Sequence, residues 1–205
     1  LLVSVYAACQ LVSGPLIGHM SDRTGRKPML LISQVGTFIG FLVMAQAKAL
    51  WMLYVARILD GATAGNLSLA QAYISDNSPA HKRAKSFALI GIAFGVGFFI
   101  GPSITGYLSS AYGLTAPIYL AAAMSATSIL ATATLLKGGR QHAHAFDDRQ
   151  AAFHPSTYVK YFTRPGLRER LLQFLFFITS FSLFISGFAL FAERRFTWQI
   201  GRAHV

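Results

Sequence analysis

Two opposite charges lie inside an otherwise apolar stretch of the chain. Arg57 and Asp60 are three residues apart within residues 50–74, a spacing that puts both side chains on one face of a helix. A cation at the centre of a membrane helix is unfavourable by at least about 2.5–3.5 kcal/mol unless a partner or water meets it. The pattern leaves two interpretations open: a structural ion pair, or charges that line a water-accessible cavity and take part in proton transfer.

Small and polar residues continue this face along the predicted helix. At about 100° per residue, five of them fall beside Arg57, namely Gly61, Ala64, Ser68, Gln71 and Ser75. We therefore expect one polar stripe along a continuous helix, with Gly61 and Gln71 joining the charged pair at the cavity. Asn66 falls on the opposite face, so we expect it to serve another contact.

A second charged segment separates the first two apolar runs. Gly25 permits a positive φ, and Pro28 suits the first turn of a following helix, where its missing N–H is no loss. Asp22 is the one carboxylate in the segment and can cap a helix or pair with an arginine. It stands among three bases, Arg23, Arg26 and Lys27. Just upstream, Gly14 and Gly18 have the spacing that lets two membrane helices approach closely.

A third pattern is the glycine-rich apolar run at residues 86–108. Its glycines are Gly91, Gly95, Gly97, Gly101 and Gly106. Glycine is unfavourable in soluble helices, but it lets membrane helices pack backbone to backbone. Pro102 removes one helical hydrogen bond, so we expect it to bend the helix. By itself the run fits either static packing or a helix that slides against a neighbour.

The composition indicates the solvent in which these residues act. The chain is 54% hydrophobic and 12% charged, and residues 30–47, 87–108, 116–136 and 171–192 contain no Lys, Arg, Asp or Glu. Each run is near the roughly 20 apolar residues that cross a bilayer. The net charge is +11, but the basic residues lie in connections between apolar runs, so we do not expect nucleic acid as a partner.

Six membrane spans are predicted, and the fold class is an all-α polytopic membrane protein. The spans cover residues 1–18, 28–47, 50–74, 86–108, 116–136 and 170–192. The three connections assigned to one side of the membrane hold 12 Lys or Arg residues, and the two opposite connections hold one. By the positive-inside rule, the basic connections face the cytoplasm.

One long connection divides the chain into domains. We expect residues 137–169 to form a central cytoplasmic loop between a transmembrane bundle at 1–136 and a further helix at 170–193. Within that loop, residues 155–161 fit a short helix at the membrane surface.

The remaining features are interpreted without a chemical role. His142 and His144 lack a further well-spaced ligand, so no metal site is predicted. Cys9 lies in an apolar run and is taken as a small packed residue. The chain has no initiator Met and is expected to be truncated at its start. Residues 200–205 correspond to the codons ATC GGA AGA GCA CAC GTC, a sequencing-adapter string, and are expected to be a non-native tail.

The charged segment resembles the loop between the second and third helices of the major facilitator superfamily. The residues at the family spacing are Gly18, Asp22, Arg23, Gly25, Arg26 and Lys27, and Met20 stands where leucine is usual. The resemblance implies that this set controls switching between states and that Asp22 docks the N-terminal bundle against the C-terminal one.

Two further segments are similar to motifs of the same family. Residues 57–65 resemble the fourth-helix motif, whose arginine is linked to proton transfer, although Asp60 stands where many members have an uncharged residue. Residues 97–106 resemble the fifth-helix motif associated with antiporters through Gly97, Gly101, Pro102 and Gly106, with Thr105 in place of one closing glycine. Asp76 and Arg83 also resemble the family pattern and are interpreted as loop-anchoring charges.

The resemblance is greatest to the tetracycline-resistance-like branch of twelve-helix drug/proton antiporters, where the six spans would be helices two to seven. It implies a partial major facilitator fold in a bacterial inner membrane, monomeric when full length. The partners implied are lipid, protons and a small-molecule substrate, and the energy source is the proton gradient without a cofactor.

The implied function is export of a drug-like or tetracycline-like solute in exchange for protons. A solute/proton symporter is the alternative, because only the antiporter motif argues against it. An intramembrane enzyme is disfavoured, because no His lies mid-span and Arg57 and Asp60 are the one evident pair of ionisable residues there.

Overall fold

The computed structural model describes residues 1–136, 163–164 and 166–196, and every regular element in that part is helical. The α-helices are α1 (Leu2–Thr24), α2 (Arg26–Ala45), α3 (Leu50–Ala62), α4 (Asn66–Asn77), α5 (Arg83–Tyr112), α6 (Ala116–Leu135) and α7 (Leu167–Phe196). A 3₁₀ turn, Ala80–Lys82, leads into α5. The predicted all-α fold class is confirmed.

Apolar surface on these helices indicates a membrane environment. Four of the described helices, α1, α2, α5 and α6, are long and apolar enough to cross a bilayer. Helix α5 has no buried residue in the described structure, and Phe98 and Phe99 on it are 58% and 84% exposed. Apolar faces of this extent need lipid or another apolar surface, so the chain is a multi-pass membrane protein, as predicted.

The turn between the first two helices is tighter than the sequence indicated. Helix α1 continues to Thr24, six residues past its predicted end, and α2 begins at Arg26. Gly25 alone separates them, with the predicted positive φ, here 100°. Its N–H donates to Ser21 O at 3.0 Å and so completes the last turn of α1. Asp22 is therefore a helical residue, and its position is fixed relative to α2.

The predicted continuous helix at residues 50–74 is wrong. Helix α3 ends at Ala62 and α4 begins at Asn66, so residues 63–65 interrupt the span. Ser33 of α2 stabilises the interruption: its hydroxyl donates to Thr63 O and accepts from Gly65 N–H, the latter at 2.9 Å. Gly65 N–H also donates to Thr63 O at 2.8 Å. The side chain from another helix thus adds to a local bond in satisfying main-chain groups inside a membrane.

Helix α2 contacts α1, α3, α4 and α6 and occupies the centre of its unit. Two of its glycines make room for α3: a Cβ at Gly40 would lie 3.2 Å from the Cβ of Asp60, and one at Gly36 would overlap the side chain of Thr63. A buried apolar cluster ties α1, α2 and α4 together. Its members are Ile17, Met29, Leu30 and Leu69, with Leu136 packed against it.

The glycines of the small-residue pair on α1 and of the glycine-rich run on α5 are open in the described structure. A Cβ at Gly14 or Gly18 would meet no described atom within 4 Å, and the same holds on α5 at Gly91, Gly95, Gly97, Gly101 and Gly106. The close approach expected at Gly14 and Gly18 occurs instead on α2, where Gly36 and Gly40 have the same spacing. Small residues permit an approach, but they do not specify which helix makes it.

The chain divides into two compact units, residues 1–152 and 153–205. In the second, α7 begins at Leu167, three residues before its predicted start, and ends at Phe196. Several earlier expectations lie outside the described residues: most of the loop at 137–169, including His142 and His144, the surface helix at 155–161, and the tail at 200–205.

Candidate functional site

Arg26 is the centre of a charged cluster at the junction of α1 and α2. Its Nη1 lies 2.6 Å from Asp22 Oδ1, and its Nε lies 2.9 Å from Asp76 Oδ2 on α4. One guanidinium therefore joins three helices, as its planar set of donors allows. The structure brings together Asp22 and Arg26 as predicted, and it adds Asp76, which the sequence had placed among loop-anchoring charges.

The hydroxyl of Ser21 at the end of α1 supports this cluster. Ser21 is 1% exposed, donates to Gly18 O at 2.8 Å, and accepts from Arg26 Nη1 at 2.5 Å. Asp22 differs from it in being more than half exposed, with 56% of its side chain accessible. The Arg26–Ser21 contact is thus inside the bundle, and the Arg26–Asp22 pair is at its surface.

Lys27 has a role that the sequence did not indicate. Its Nζ donates to Ala133 O at 2.8 Å and to Leu136 O at 2.7 Å. These carbonyls lie at the C-terminal end of α6, where the helix dipole favours a cation. Lys27 therefore ties α2 to α6, whereas its neighbour in the motif, Arg23, is exposed. Contacts over such a separation in the chain leave no local sequence signal.

The predicted intramembrane pair is present on α3. Arg57 Nη1 lies 3.8 Å from Asp60 Oδ2, and the two side chains are 32% and 14% exposed. Arg57 Nη2 also lies 3.9 Å from Met44 Sδ. A separation of 3.8 Å exceeds hydrogen-bond distance, so Arg57 neutralises the charge of Asp60 without fixing its carboxylate.

The carboxylate of Asp60 is fixed by α2 instead. Thr37 Oγ1 donates to Asp60 Oδ1 at 2.9 Å, and Asn66 Nδ2 donates to Thr37 Oγ1 at 3.1 Å. Asn66 makes the separate contact expected of it, with Thr37. Through Thr37 it nevertheless joins the surroundings of Asp60, because the interruption at residues 63–65 changes the phase between α3 and α4. Sequence reasoning also missed Thr37, since a lone threonine in an apolar run is too common to indicate a site.

The other residues expected at the cavity separate into two groups. Gly61 is buried against α1, where Ser13 Oγ donates to its carbonyl at 2.7 Å. Gln71 is exposed on α4, and the interruption separates its helix from α3. The polar stripe predicted to run from Arg57 to Ser75 is thus not continuous.

Two of the antiporter-like residues of α5, Gly97 and Pro102, line an open apolar groove. It has a volume of about 560 Å³ and is bounded by Ala93, Phe94, Gly97, Phe98 and Pro102. Gly101 and Gly106 follow on the same helix, and α5 continues on both sides of Pro102. The groove offers a smooth apolar surface without a charged lining residue.

Comparison with known proteins agrees with this architecture. The family model for the Major Facilitator Superfamily matches residues 1–201. The chain is 34% identical to tetracycline resistance protein class C of Escherichia coli over 203 residues, covering 97% of this chain and 50% of the relative. It is 30% identical to the class E protein over 206 residues, with 97% and 49% covered. Against the class B protein, identity is 37% over 129 residues, with 63% and 32% covered.

The chain thus spans half or less of the length of these relatives. The match extends through the Arg26 cluster, the Arg57–Asp60 pair and α5, all of which lie within residues 1–201. On the helical membrane architecture and this nearly complete family match, the chain belongs to the major facilitator superfamily.

Proposed function

We propose that this chain is part of a secondary transporter that exports a drug-like solute in exchange for protons across a bacterial inner membrane. The observation that carries the proposal is the Arg57–Asp60 pair, which lies between helices yet is 32% and 14% exposed. Charged residues inside membrane spans mark ion and proton pathways by default. The relatives named as tetracycline resistance proteins supply the class of solute.

Asp60 is the proton carrier in this mechanism, and Arg57 responds to its charge. With Asp60 ionised, the pair is neutral; once Asp60 accepts a proton, Arg57 is left as an unbalanced cation 3.8 Å away. An uncompensated charge in a low-dielectric interior is unfavourable. Proton uptake therefore favours a rearrangement that gives Arg57 water or another partner, which couples the proton to alternating access.

The Arg26 cluster acts as the conformational switch at the cytoplasmic side. Asp22 is 56% exposed, and an exposed ion pair contributes only about 0–1 kcal/mol, so Asp22 can exchange partners readily. Ser21 and Asp76 hold Arg26 in place while it does so. The other motif residues, Gly18, Gly25 and Lys27, keep α1 and α2 in position around the switch. Arg23 stays in the aqueous interface.

The groove on α5 supports antiport over symport. Gly97, Gly101, Pro102 and Gly106 resemble the family motif associated with antiporters, and the groove that Gly97 and Pro102 help to line is apolar and open. The energy comes from the proton gradient, no cofactor takes part, and the transporter works as a monomer. The solute class suggested by the relatives is tetracycline-like.

The test uses everted membrane vesicles from cells that express the complete reading frame encoding this chain. Tetracycline, chloramphenicol, a quinolone and ethidium are added to vesicles acidified by respiration, and the internal pH is followed with a fluorescent probe. Antiport predicts alkalinisation of the lumen on addition of a transported drug. Symport predicts pH changes of the opposite sign, and no response to any drug in the panel contradicts drug export.

The variant Arg57→Ala tests the coupling site in the same vesicles. We expect proton flux linked to the drug to be lost, because Asp60 then has no cation that responds to its protonation. Wild-type flux in this variant would remove Arg57 from the mechanism. Arg168→Ala is the matched control, since Arg168 is an exposed arginine that belongs to none of the three motifs.

A further inference from the structure

We infer that Asn66 and Thr37 form a reversible hydrogen-bond chain that transmits the protonation state of Asp60 to helix α4. The inference rests on the proposed function, in which Asp60 exchanges the transported proton. It adds two positioning residues that lie on helices other than that of Asp60, and it gives α4 a part in coupling.

The chain has a defined direction in the structure. Asn66 Nδ2 donates to Thr37 Oγ1 at 3.1 Å, and Thr37 Oγ1 donates to Asp60 Oδ1 at 2.9 Å. A threonine hydroxyl has one proton, whereas an ionised carboxylate can only accept. While Asp60 is ionised, the hydroxyl proton of Thr37 must therefore point at Asp60, and Thr37 can only accept from Asn66.

One atom in this arrangement has no hydrogen-bond partner. Asn66 Oδ1 is buried, and among the described residues no group donates to it. Buried polar atoms in native proteins are nearly always paired, so an unpaired amide oxygen indicates a second arrangement in which it is used. A rotation of the amide by about 180° exchanges its oxygen and nitrogen in the same space.

Protonation of Asp60 supplies that second arrangement. The Asp60 side chain is 14% exposed, which leaves a path for water to deliver one proton that stays on Asp60. The new O–H donates to Thr37 Oγ1, the Thr37 proton turns towards Asn66, and the rotated Asn66 Oδ1 accepts it. The chain contains two hydrogen bonds both before and after Asp60 is protonated. In each of the two states one end of the Asn66 amide is unpaired. The chain is therefore bistable, and the charge on Asp60 decides between its two states.

Other charges near Asp60 act on it directly and not through this chain. Arg57 faces it from α3 at 3.8 Å, and Tyr6 of α1 lies within electrostatic reach of both. From α2 the group presented to Asp60 is the neutral hydroxyl of Thr37. The chain is thus the route by which α4, and not only α3, senses the proton.

The position of Asn66 makes this signal mechanically useful. Asn66 is the first residue of α4, directly after the interruption at residues 63–65. Helix ends next to irregular backbone move more easily than helix interiors, because fewer main-chain hydrogen bonds hold them. A rotation of the Asn66 amide consequently acts where α3 and α4 can move relative to each other.

The test is a pH-induced infrared difference spectrum of the complete protein, purified and placed in lipid nanodiscs. Acidification should produce a carboxylic C=O band that is absent in Asp60→Ala. A side-chain amide band that is absent in Asn66→Leu should shift with the same pH midpoint as the carboxylic band. In Thr37→Val, which keeps the shape but removes the hydroxyl, the carboxylic band should remain and the amide shift should vanish. Thr37→Ser restores the hydroxyl and should restore the shift.

Transport gives a second readout in everted vesicles, with the panel drug that produces the largest wild-type response. We expect Thr37→Val to lower the maximal drug-linked proton flux by at least about tenfold, the effect of losing one hydrogen bond to a charged group. The drug concentration at half-maximal flux should be unchanged, and Thr37→Ser should stay within about twofold of wild type. Adding Asn66→Leu to Thr37→Val should cause no further loss, because both act in one chain.

The outcomes separate this inference from the proposed function. An amide shift that persists in Thr37→Val, or an amide band that ignores the protonation of Asp60 in the wild type, overturns the chain while Asp60 remains the proton site. If no carboxylic band belongs to Asp60 at any pH, or if Asp60→Ala transports normally, the proposed role of Asp60 fails as well. If Thr37→Val does not accumulate in the membrane, Asn66→Leu alone decides, through the maximal flux.

Discussion

Gly61 is a position where α1 and α3 leave no room for a Cβ, and Gly61→Ala tests the packing that holds the charged pair. A Cβ at Gly61 would lie 2.7 Å from the main-chain oxygen of Tyr6 and 2.8 Å from the Cβ of Cys9. Neither atom can swing away by a side-chain rotation, so the two helices must separate. Overpacking of this kind destabilises by about 1–3 kcal/mol, and the higher helix propensity of alanine offsets at most about 1 kcal/mol.

A second loss adds to the first. Separation of the helices stretches the buried bond from Ser13 Oγ to Gly61 O, now 2.7 Å, and such a bond contributes about 1 kcal/mol. We expect Gly61→Ala to lower the free energy of unfolding by about 1–3 kcal/mol overall. Drug-linked proton flux should fall with it, because Asp60 precedes Gly61 directly.

The assay is reversible unfolding of the purified complete protein in mixed micelles of dodecylmaltoside and SDS, followed by circular dichroism. Gly14→Ala is the matched control on α1, since a Cβ there meets no described atom within 4 Å. We expect this control to unfold as the wild type does or later. Equal midpoints for Gly61→Ala and Gly14→Ala would refute the reasoning, because they would mean that the contact with Tyr6 and Cys9 imposes no constraint.

Three further substitutions probe two contacts that the sequence did not reveal, those of Lys27 and Ser33, and one that it did, the Asp22–Arg26 pair, all in the same unfolding assay. Lys27→Met should lower the free energy of unfolding by about 1–2 kcal/mol, because two carbonyls at the end of α6 lose a cationic donor; exposed Arg23→Met should change it by less than about 0.5 kcal/mol. Ser33→Ala should lower it by about 1–2 kcal/mol, since Thr63 O and Gly65 N–H each lose one hydrogen bond and keep the bond between them, and amide exchange at residues 63–65 should speed up. Asp22→Asn should change the free energy of unfolding by less than about 1 kcal/mol, because the pair with Arg26 is exposed. In everted vesicles the same variant should still impair transport. A larger loss of stability would mean that Asp22 has a structural role.

Much of the fold follows from local sequence properties. Length and apolarity predicted the spans that became α1, α2, α5 and α6, and glycine's freedom at positive φ predicted the turn at Gly25. These properties depend on one segment and its solvent. The same is true of the Arg57–Asp60 pair, whose three-residue spacing on a helix is a local geometric fact.

Contacts between helices could not be predicted in this way. The bonds from Lys27 to the end of α6 join residues more than 100 positions apart, and no periodicity in either segment indicates them. The choice of Gly36 and Gly40 over Gly14 and Gly18 for close packing is similar, because both pairs have the same spacing. Only the identity of the neighbouring helix distinguishes them.

The interruption between α3 and α4 explains why the helical projection misplaced Asn66. The segment contains no proline, and its helix-breaking signal is one glycine, Gly65, so propensity alone favours a continuous helix. Where the helix ends, the hydroxyl of Ser33 arrives from α2 and bonds Thr63 O and Gly65 N–H, beside the local bond between those two groups.

Irregular backbone at membrane depth is tolerated only where protein or water satisfies it, so such an interruption has to lie beside polar groups. Thr37 stands one helical turn beyond Ser33 on the same face of α2, where it meets Asp60 and Asn66. The polar groups that allow the helix to stop are therefore continuous with those that surround the carboxylate. A substitution that restored a regular helix here would have to displace Asn66 from Thr37, so the interruption and the proposed coupling chain should be lost together.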